Sequence, residues 1–181
     1  APDTLYTCLE AAQHAILTGQ HHDLRFSEMR TTVVILLSDG QAALWAHIGD
    51  SRLYFLRAGR VIFQTRDHSV PQALADGGEI SPKAIRHHED RNRLLRSLGT
   101  ETFRPEIASQ PVLLEAGDAF LLCSDGFWEY VLETEMEVDL AKSSTATTWL
   151  ARMKNRLLQR VGPKPDNKHD NYSAIAVLAE K

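Results

Sequence analysis

Cysteine is nearly absent: Cys8 and Cys123 are the only two among 181 residues. Two thiols cannot build a cysteine-based zinc cluster. The expectation is a pair of buried, unpaired thiols in a reducing compartment, Cys8 in a helix and Cys123 in a core strand. No run of about 18 apolar residues occurs, which excludes a membrane-spanning helix. A charged-then-apolar leader is missing as well, so nothing argues for secretion. Ala1 rather than Met begins the chain, as in a processed protein or a piece of a longer one. With 20 basic against 24 acidic residues and a net charge of −4, there is no electropositive footprint for nucleic acid and no polybasic membrane patch. A cytoplasmic protein is the expectation.

What is present suffices for one substantial core, since 43% of the residues are hydrophobic, and residues 1–181 are expected to form a single domain. Leu5, Cys8, Leu9, Ala12 and Ile16 recur at helical spacing, with Gly19 placed to end that helix. A polar, His-rich loop follows over 20–30. Strand-like runs at 31–37, 41–48, 52–56 and 60–64 are separated by Ser38-Asp39-Gly40, Gly49-Asp50-Ser51 and Ala58-Gly59. Such short turns predict an antiparallel meander. Residues 69–98 read as helical pieces, with Pro71 and Pro82 at first-turn positions. Leu94, Leu95 and Leu98 form the apolar face of a short helix whose exposed side carries Arg91 and Arg93.

Strands resume at 103–110 and 118–123. Residues 144–160 carry Trp149, Leu150, Met153, Leu157 and Val161 on one helical stripe, with Arg152, Lys154, Arg156 and Arg160 solvated opposite. Gly162-Pro163 ends that helix, a polar loop spans 163–169, and 171–178 is a last strand. No internal repeat or low-complexity tract appears. The expected class is α+β: mostly antiparallel sheet in two packed layers, with helices outside.

Three aspartates stand at strand ends. Ser-Asp-Gly occurs twice, and at 38–40 a hairpin turn accounts for Asp39. At 124–126 the same tripeptide leaves two readings open: Asp125 caps a helix, or it serves chemistry. Asp125 follows strand 118–123 and Asp170 precedes strand 171–178, so antiparallel neighbours would bring both to one edge. Asp50 follows strand 41–48, and all three carboxylates would then converge at one rim. Two carboxylates about 4 Å apart repel by roughly 4 kcal/mol at an effective dielectric near 20. They would take up protons or hold a cation. An all-oxygen set without cysteine or a histidine partner suits Mg²⁺ or Mn²⁺.

Other motifs have plainer readings. His21-His22 and His87-His88 are expected at the surface. Asp67-His68-Ser69 caps a helix starting near Val70. Trp45, Trp128 and Trp149 fall on apolar faces and belong to the core.

Five segments together carry a resemblance. Ala46-His47-Ile48-Gly49-Asp50-Ser51-Arg52 resembles the Gly-Asp-Ser-Arg motif of the metal-dependent, type 2C family of serine/threonine protein phosphatases. Asp67-His68-Ser69, Leu122-Cys123-Ser124-Asp125-Gly126 and His169-Asp170-Asn171-Tyr172-Ser173 resemble further motifs of that family. Met29-Arg30-Thr31-Thr32 is similar to its Met-Gly-Thr-Thr strand entry, with Arg30 where glycine is usual. Order and relative spacing match, and the likeness runs from the first helix to Lys181.

The resemblance implies a β-sandwich flanked by α-helices, four layers αββα. It implies hydrolysis of protein phosphoserine and phosphothreonine by a water bridging two Mg²⁺ or Mn²⁺ ions, without a phosphoenzyme. Asp125 and Asp170 would ligate the core metals, and Asp50 a further, weaker position beside Asp125. Asn171 would brace the site from a second shell, and Gly126 would permit the tight turn behind Asp125. A phosphorylated protein is the implied substrate, with a partner kinase as the opposing enzyme.

Departures accompany the match. The family's acidic residue on a first strand, its Asp-Gly-Met-Gly-Gly-His-like segment and its phosphate-gripping arginine have no counterpart here. The chain therefore looks like the larger, C-terminal part of the family domain, N-terminally incomplete. It is expected to bind divalent metal poorly and to turn over phosphate slowly or not at all. The alternative function is a non-catalytic, phosphatase-like binding or regulatory module.

Overall fold

Apolar spacing and capping chemistry account for most elements of the computed structural model, which describes residues 2–162 and 170–180. In chain order these are helix α1 (Pro2–His22), strands β1 (Val33–Ser38), β2 (Ala42–Ile48), β3 (Arg52–Arg57) and β4 (Arg60–Gln64), helix α2 (Val70–Asp76), and strands β5 (Glu106–Ile107), β6 (Val112–Leu113) and β7 (Ala119–Cys123). Helices α3 (Asp125–Trp128), α4 (Glu133–Ala141) and α5 (Ala146–Val161) and strand β8 (Ala174–Leu178) follow. The α+β class stands, with two antiparallel sheets. No helix among the described residues is long and apolar enough to cross a membrane. The chain divides into two compact units, Ala1–Ser51 with Arg66–Leu113, and Arg52–Thr65 with Leu114–Lys181.

In the first unit, β1 and β2 form a hairpin in which Asp39 accepts the backbone N–H groups of Gln41 and Ala42 at 2.9 and 2.8 Å. Asp39 is a turn residue, as expected. Leu5 and Leu9 of α1 pack on Leu44 and Ala46 of β2. Helix α1 does not stop at Gly19; it continues to His22. The Gln20 side-chain amide donates to the carbonyls of Met29 and Gly99 at 2.6 and 2.9 Å, which anchors the extra turn. Cys8 is exposed on this helix, against expectation; Cys123 is buried, and neither forms a disulfide.

The expected meander is corrected in one connection. β2 pairs with β1 on one side and with β5 and β6 on the other, so no edge remains for β3. Gly49-Asp50-Ser51 is therefore a passage from one sheet to the next and not a hairpin. The strand expected over 103–110 shrinks to β5, because Pro105 and Pro111 lack the N–H groups that a ladder needs. The helix expected around Leu94 and Leu95 is absent. There the backbone bonds to the segment before α2, with Val70 N–H donating to Arg93 O and Leu95 N–H to His68 O at 2.9 and 2.8 Å. Leu98 is buried and pairs with Thr31. Ser69 caps α2 as expected, accepting from the Gln72 N–H.

In the second unit the strands run β4-β3-β7-β8, each pair antiparallel. Helix α5 buries Trp149, Met153, Leu157 and Val161 along the expected stripe, and Thr145 caps it. Its basic face is not merely solvated. Arg156 bonds both oxygens of Asp139 at 2.7 and 2.9 Å, and Arg160 bonds Glu135 at 2.7 and 2.5 Å, joining α5 to α4. Helix α4 has a weak apolar pattern and buries only Met136 and Asp139, so its spacing gives no helical stripe to read. The expected loop at 163–169 lies outside the described residues.

Candidate functional site

Strand β7 reads Ala-Phe-Leu-Leu-Cys and is buried throughout, because it lies between β3 and β8 in the middle of its sheet. Cys123 pairs with Ala174, so the end of β7 and the start of β8 share one edge. Ser124 and Ser173 continue that pairing. Ser124 N–H donates to Ser173 O, and Ser173 N–H donates to the Ser124 hydroxyl, both at 3.0 Å.

Ser124, in extended conformation, is the N-cap of α3, and Asp125 stands in the first turn. The N-cap reading of Asp125 therefore falls to its neighbour. One carboxylate oxygen of Asp125 accepts the Gly126 N–H at 2.8 Å, and one of Asp170 accepts the Asn171 N–H at 3.0 Å. Each carboxylate is thus oriented by the amide that follows it.

Gly126 brings the two segments together. A Cβ at this position would lie 2.3 Å from the Asn171 carbonyl oxygen and 3.3 Å from the Asp170 Cβ. Glycine is required for this close approach of two backbones. Asp125 is half-buried and Asp170 exposed, so the edge is open to solvent and offers only oxygen donors from these two side chains. Hard divalent cations select such a donor set.

Asp50 belongs to the first unit and is buried. Gly49 before it has φ +109°, and a Cβ there would sit 2.3 Å from the Thr32 Cγ2. The hydroxyls of Thr32 and Ser51 are 3.0 Å apart. The Thr-Thr and Gly-Asp-Ser motifs are therefore in direct contact. His68 grips the same turn: its N–H donates to Gly49 O at 2.9 Å, and its Nδ1 accepts the Gly49 N–H at 3.2 Å.

The spacing of the chain gave no sign of what surrounds His68. His47 stacks on it with ring centroids 4.6 Å apart and planes 17° from parallel. Glu106 lies 3.5 Å from the His68 Nε2. Donor atoms of His47, His68 and Glu106 all lie within 4.8 Å of one another.

This trio does not fit a metal. Lone pairs of two stacked rings run in parallel planes and do not converge on one ion. The Nδ1 of His68 accepts a backbone N–H, which puts the proton on Nε2, where a metal would need a lone pair. His47 donates its Nε2–H to Arg66 O at 2.8 Å. The trio is a stacked imidazole pair with a carboxylate at its edge.

Burial, then the neighbouring His47 and Arg96 charges, push the His68 imidazole down from 6.5 to about 4, against the pull of Glu106. Folded chain therefore refuses a proton that unfolded chain accepts once the pH drops below 6.5. Stability held above that pH is lost as the pH falls toward 4, by up to about 3 kcal/mol. His68→Asn keeps an acceptor for Gly49 and is expected to flatten this acid limb in thermal unfolding between pH 7 and about 4. Parent and variant curves that stay parallel would refute the assignment.

Comparison with known proteins follows the same lines. A profile of the family described as protein phosphatase 2C matches residues 3–165. The serine/threonine phosphatase stp of Listeria welshimeri is 38% identical over 135 residues, covering 75% of this chain and 53% of that protein. The serine/threonine protein phosphatase PstP of Mycobacterium tuberculosis is 32% identical over 145 residues, covering 77% of this chain and 28% of that protein. The chain spans about half the length of the Listeria relatives it matches.

Among solved structures, a bacterial serine phosphatase superposes with a TM-score of 0.86 at 26% identity, covering 99% of this chain and 70% of that one. The catalytic domain of PstP in complex with two manganese ions gives 0.75 at 26% identity, covering 93% and 67%.

Proposed function

The chain belongs to the protein phosphatase 2C family, and from that membership we propose that it carries part of the active site of a metal-dependent serine/threonine protein phosphatase. The proposed reaction is hydrolysis of phosphoserine or phosphothreonine by water at a binuclear Mg²⁺ or Mn²⁺ centre. Residues 1–181 would act as one phosphatase domain in cytoplasmic signalling, on phosphoproteins made by an opposing kinase.

The observation that supports this most is the shared edge of β7 and β8, where Asp125 and Asp170 are each oriented by the following amide. These two aspartates are the proposed ligands of the core ions. Asp50 is the proposed ligand of a further position. Asn171 braces the site through its backbone against Gly126. A divalent cation held there supplies Lewis acidity, which makes water a better nucleophile and offsets phosphoryl charge. The protein's own contribution is to hold the two carboxylates aimed by the amides that follow them, so that little reorganisation is needed on binding.

Metal titration tests the reading. The 181-residue chain is expected to bind Mn²⁺ weakly, with Asp125→Asn and Asp170→Asn each removing the binding measured by calorimetry. It is expected to hydrolyse p-nitrophenyl phosphate slowly or not at all. Brisk Mn²⁺-dependent turnover that survives Asp125→Asn would discard the site. A non-catalytic binding module would show no carboxylate-dependent Mn²⁺ uptake.

A further inference from the structure

Arg52 is an unusual residue to find buried, being 4% exposed at the first position of β3. Its guanidinium carbon lies 3.5 Å from the centroid of the Trp128 ring, in face-on contact. One of its nitrogens donates to the Tyr54 hydroxyl at 3.1 Å, and that hydroxyl donates to Glu133 at 3.1 Å. The direct approach to Glu133 is longer, at 3.8 Å. An aromatic face, a phenol and a carboxylate are thus among the partners of this cation.

Trp128 is the last residue of α3, and Asp125 is the first. With 4 residues, α3 is too short to keep its own direction, because a single turn does not pass the nucleation cost of a helix. What aims Asp125 is therefore whatever seats α3. The backbone contact of Gly126 with Asn171 seats its start, and the Arg52 stack seats its end. Arg52 also pairs with Cys123, two residues before Asp125, so strand ladder and ring stack form a closed bracket around that aspartate.

We propose that Arg52 is a positioning residue for Asp125, acting through the face of Trp128. A packing role alone would be filled as well by an apolar residue, which avoids desolvating a charge. A planar, weakly hydrated guanidinium can stack and donate in its plane at once, and lysine cannot. The inference rests on the reading of Asp125 as a cation ligand.

The test uses the full 181-residue chain, ¹⁵N-labelled, with Mn²⁺ alone as probe. Paramagnetic broadening of the Gly126 amide reports occupancy at the edge, and the Trp149 indole, bonded to Met136 O, reports an intact fold. Arg52→Lys is expected to raise the Mn²⁺ concentration for half-broadening about tenfold, and Trp128→Phe about threefold, since a phenyl face binds a cation less well. The double variant is expected to be no worse than Arg52→Lys, as two residues acting through one contact require. Trp149→Phe, which removes a buried indole that touches Met136 O and not Arg52's ring partner, is expected to lower Tm without moving the Mn²⁺ midpoint.

If Asp125→Asn removes broadening while Arg52→Lys and Trp128→Phe leave the midpoint in place, the metal reading survives and the role of Arg52 is refuted. If Asp125→Asn changes nothing, the metal reading falls and takes this inference with it. Should Arg52→Lys fail to fold, Trp128→Phe decides alone: a threefold shift supports the role and an unmoved midpoint overturns it.

Discussion

Gly126→Ala is expected to destabilise the chain by about 3 kcal/mol and to abolish its Mn²⁺ binding. The added methyl would lie 2.3 Å from the carbonyl oxygen of Asn171 and 3.1 Å from the carbonyl carbon. Both atoms belong to backbone, so no rotamer change relieves the clash. Relief requires the segment before β8 to part from α3, and that segment carries Asp170. Stability and metal binding should therefore fail together. Urea unfolding and Mn²⁺ calorimetry on the same preparation check this. A Gly126→Ala chain that unfolds at the parent's midpoint, or keeps parental Mn²⁺ affinity, would show that the two backbones are not in contact.

Arg57→Ala should cost a similar amount for a different reason. Arg57, at the end of β3, bonds both oxygens of Asp118 at 2.9 and 2.7 Å. The Asp118 side chain is 1% exposed and also accepts the Glu115 N–H at 2.9 Å. Burial by itself pushes the Asp118 carboxyl up, but the Arg57 bonds, the Glu115 amide and the Arg57 charge together hold it below the usual carboxylate range. Removing the guanidinium strands a buried carboxylate, at a cost of about 3 kcal/mol.

A depressed carboxylate pKa means stability that is present at neutral pH and lost as the pH falls through the folded value, below about 4. The gap between parent and Arg57→Ala should therefore be widest near pH 7 and shrink in acid, where Asp118 is protonated in both. Arg57→Met, which keeps an apolar stem, should recover little of the loss. A gap that is constant across pH would mean that packing, and not charge, is what Arg57 contributes.

Several features were legible in the chain because they are local. The α5 stripe follows from a 3.6-residue period, and its buried residues Trp149, Met153, Leu157 and Val161 are those the spacing selects. The β1–β2 hairpin follows from turn chemistry at Asp39. The placing of Asp125 after one strand and Asp170 before another rests on run lengths and turn residues, and pairing of β7 with β8 completes it. Other readings failed where a neighbour distant in sequence intervened. Gly19 does not end α1, because Gln20 finds acceptors at Met29 and Gly99. The segment around Leu94 is not helical, because its amides and carbonyls are taken by His68 and Val70.

The amino-acid sequence alone determined the class, the order of the longer elements and the family, since periodicity, turn residues and motif spacing are all written along one dimension. Tertiary structure decided which strands share a sheet, which backbone needs Gly126 against Asn171, and that His68 and Arg52 each grip residues flanking an aspartate. Those outcomes depend on which edges are already occupied and on contacts between groups far apart in the chain. Spacing carries no record of either.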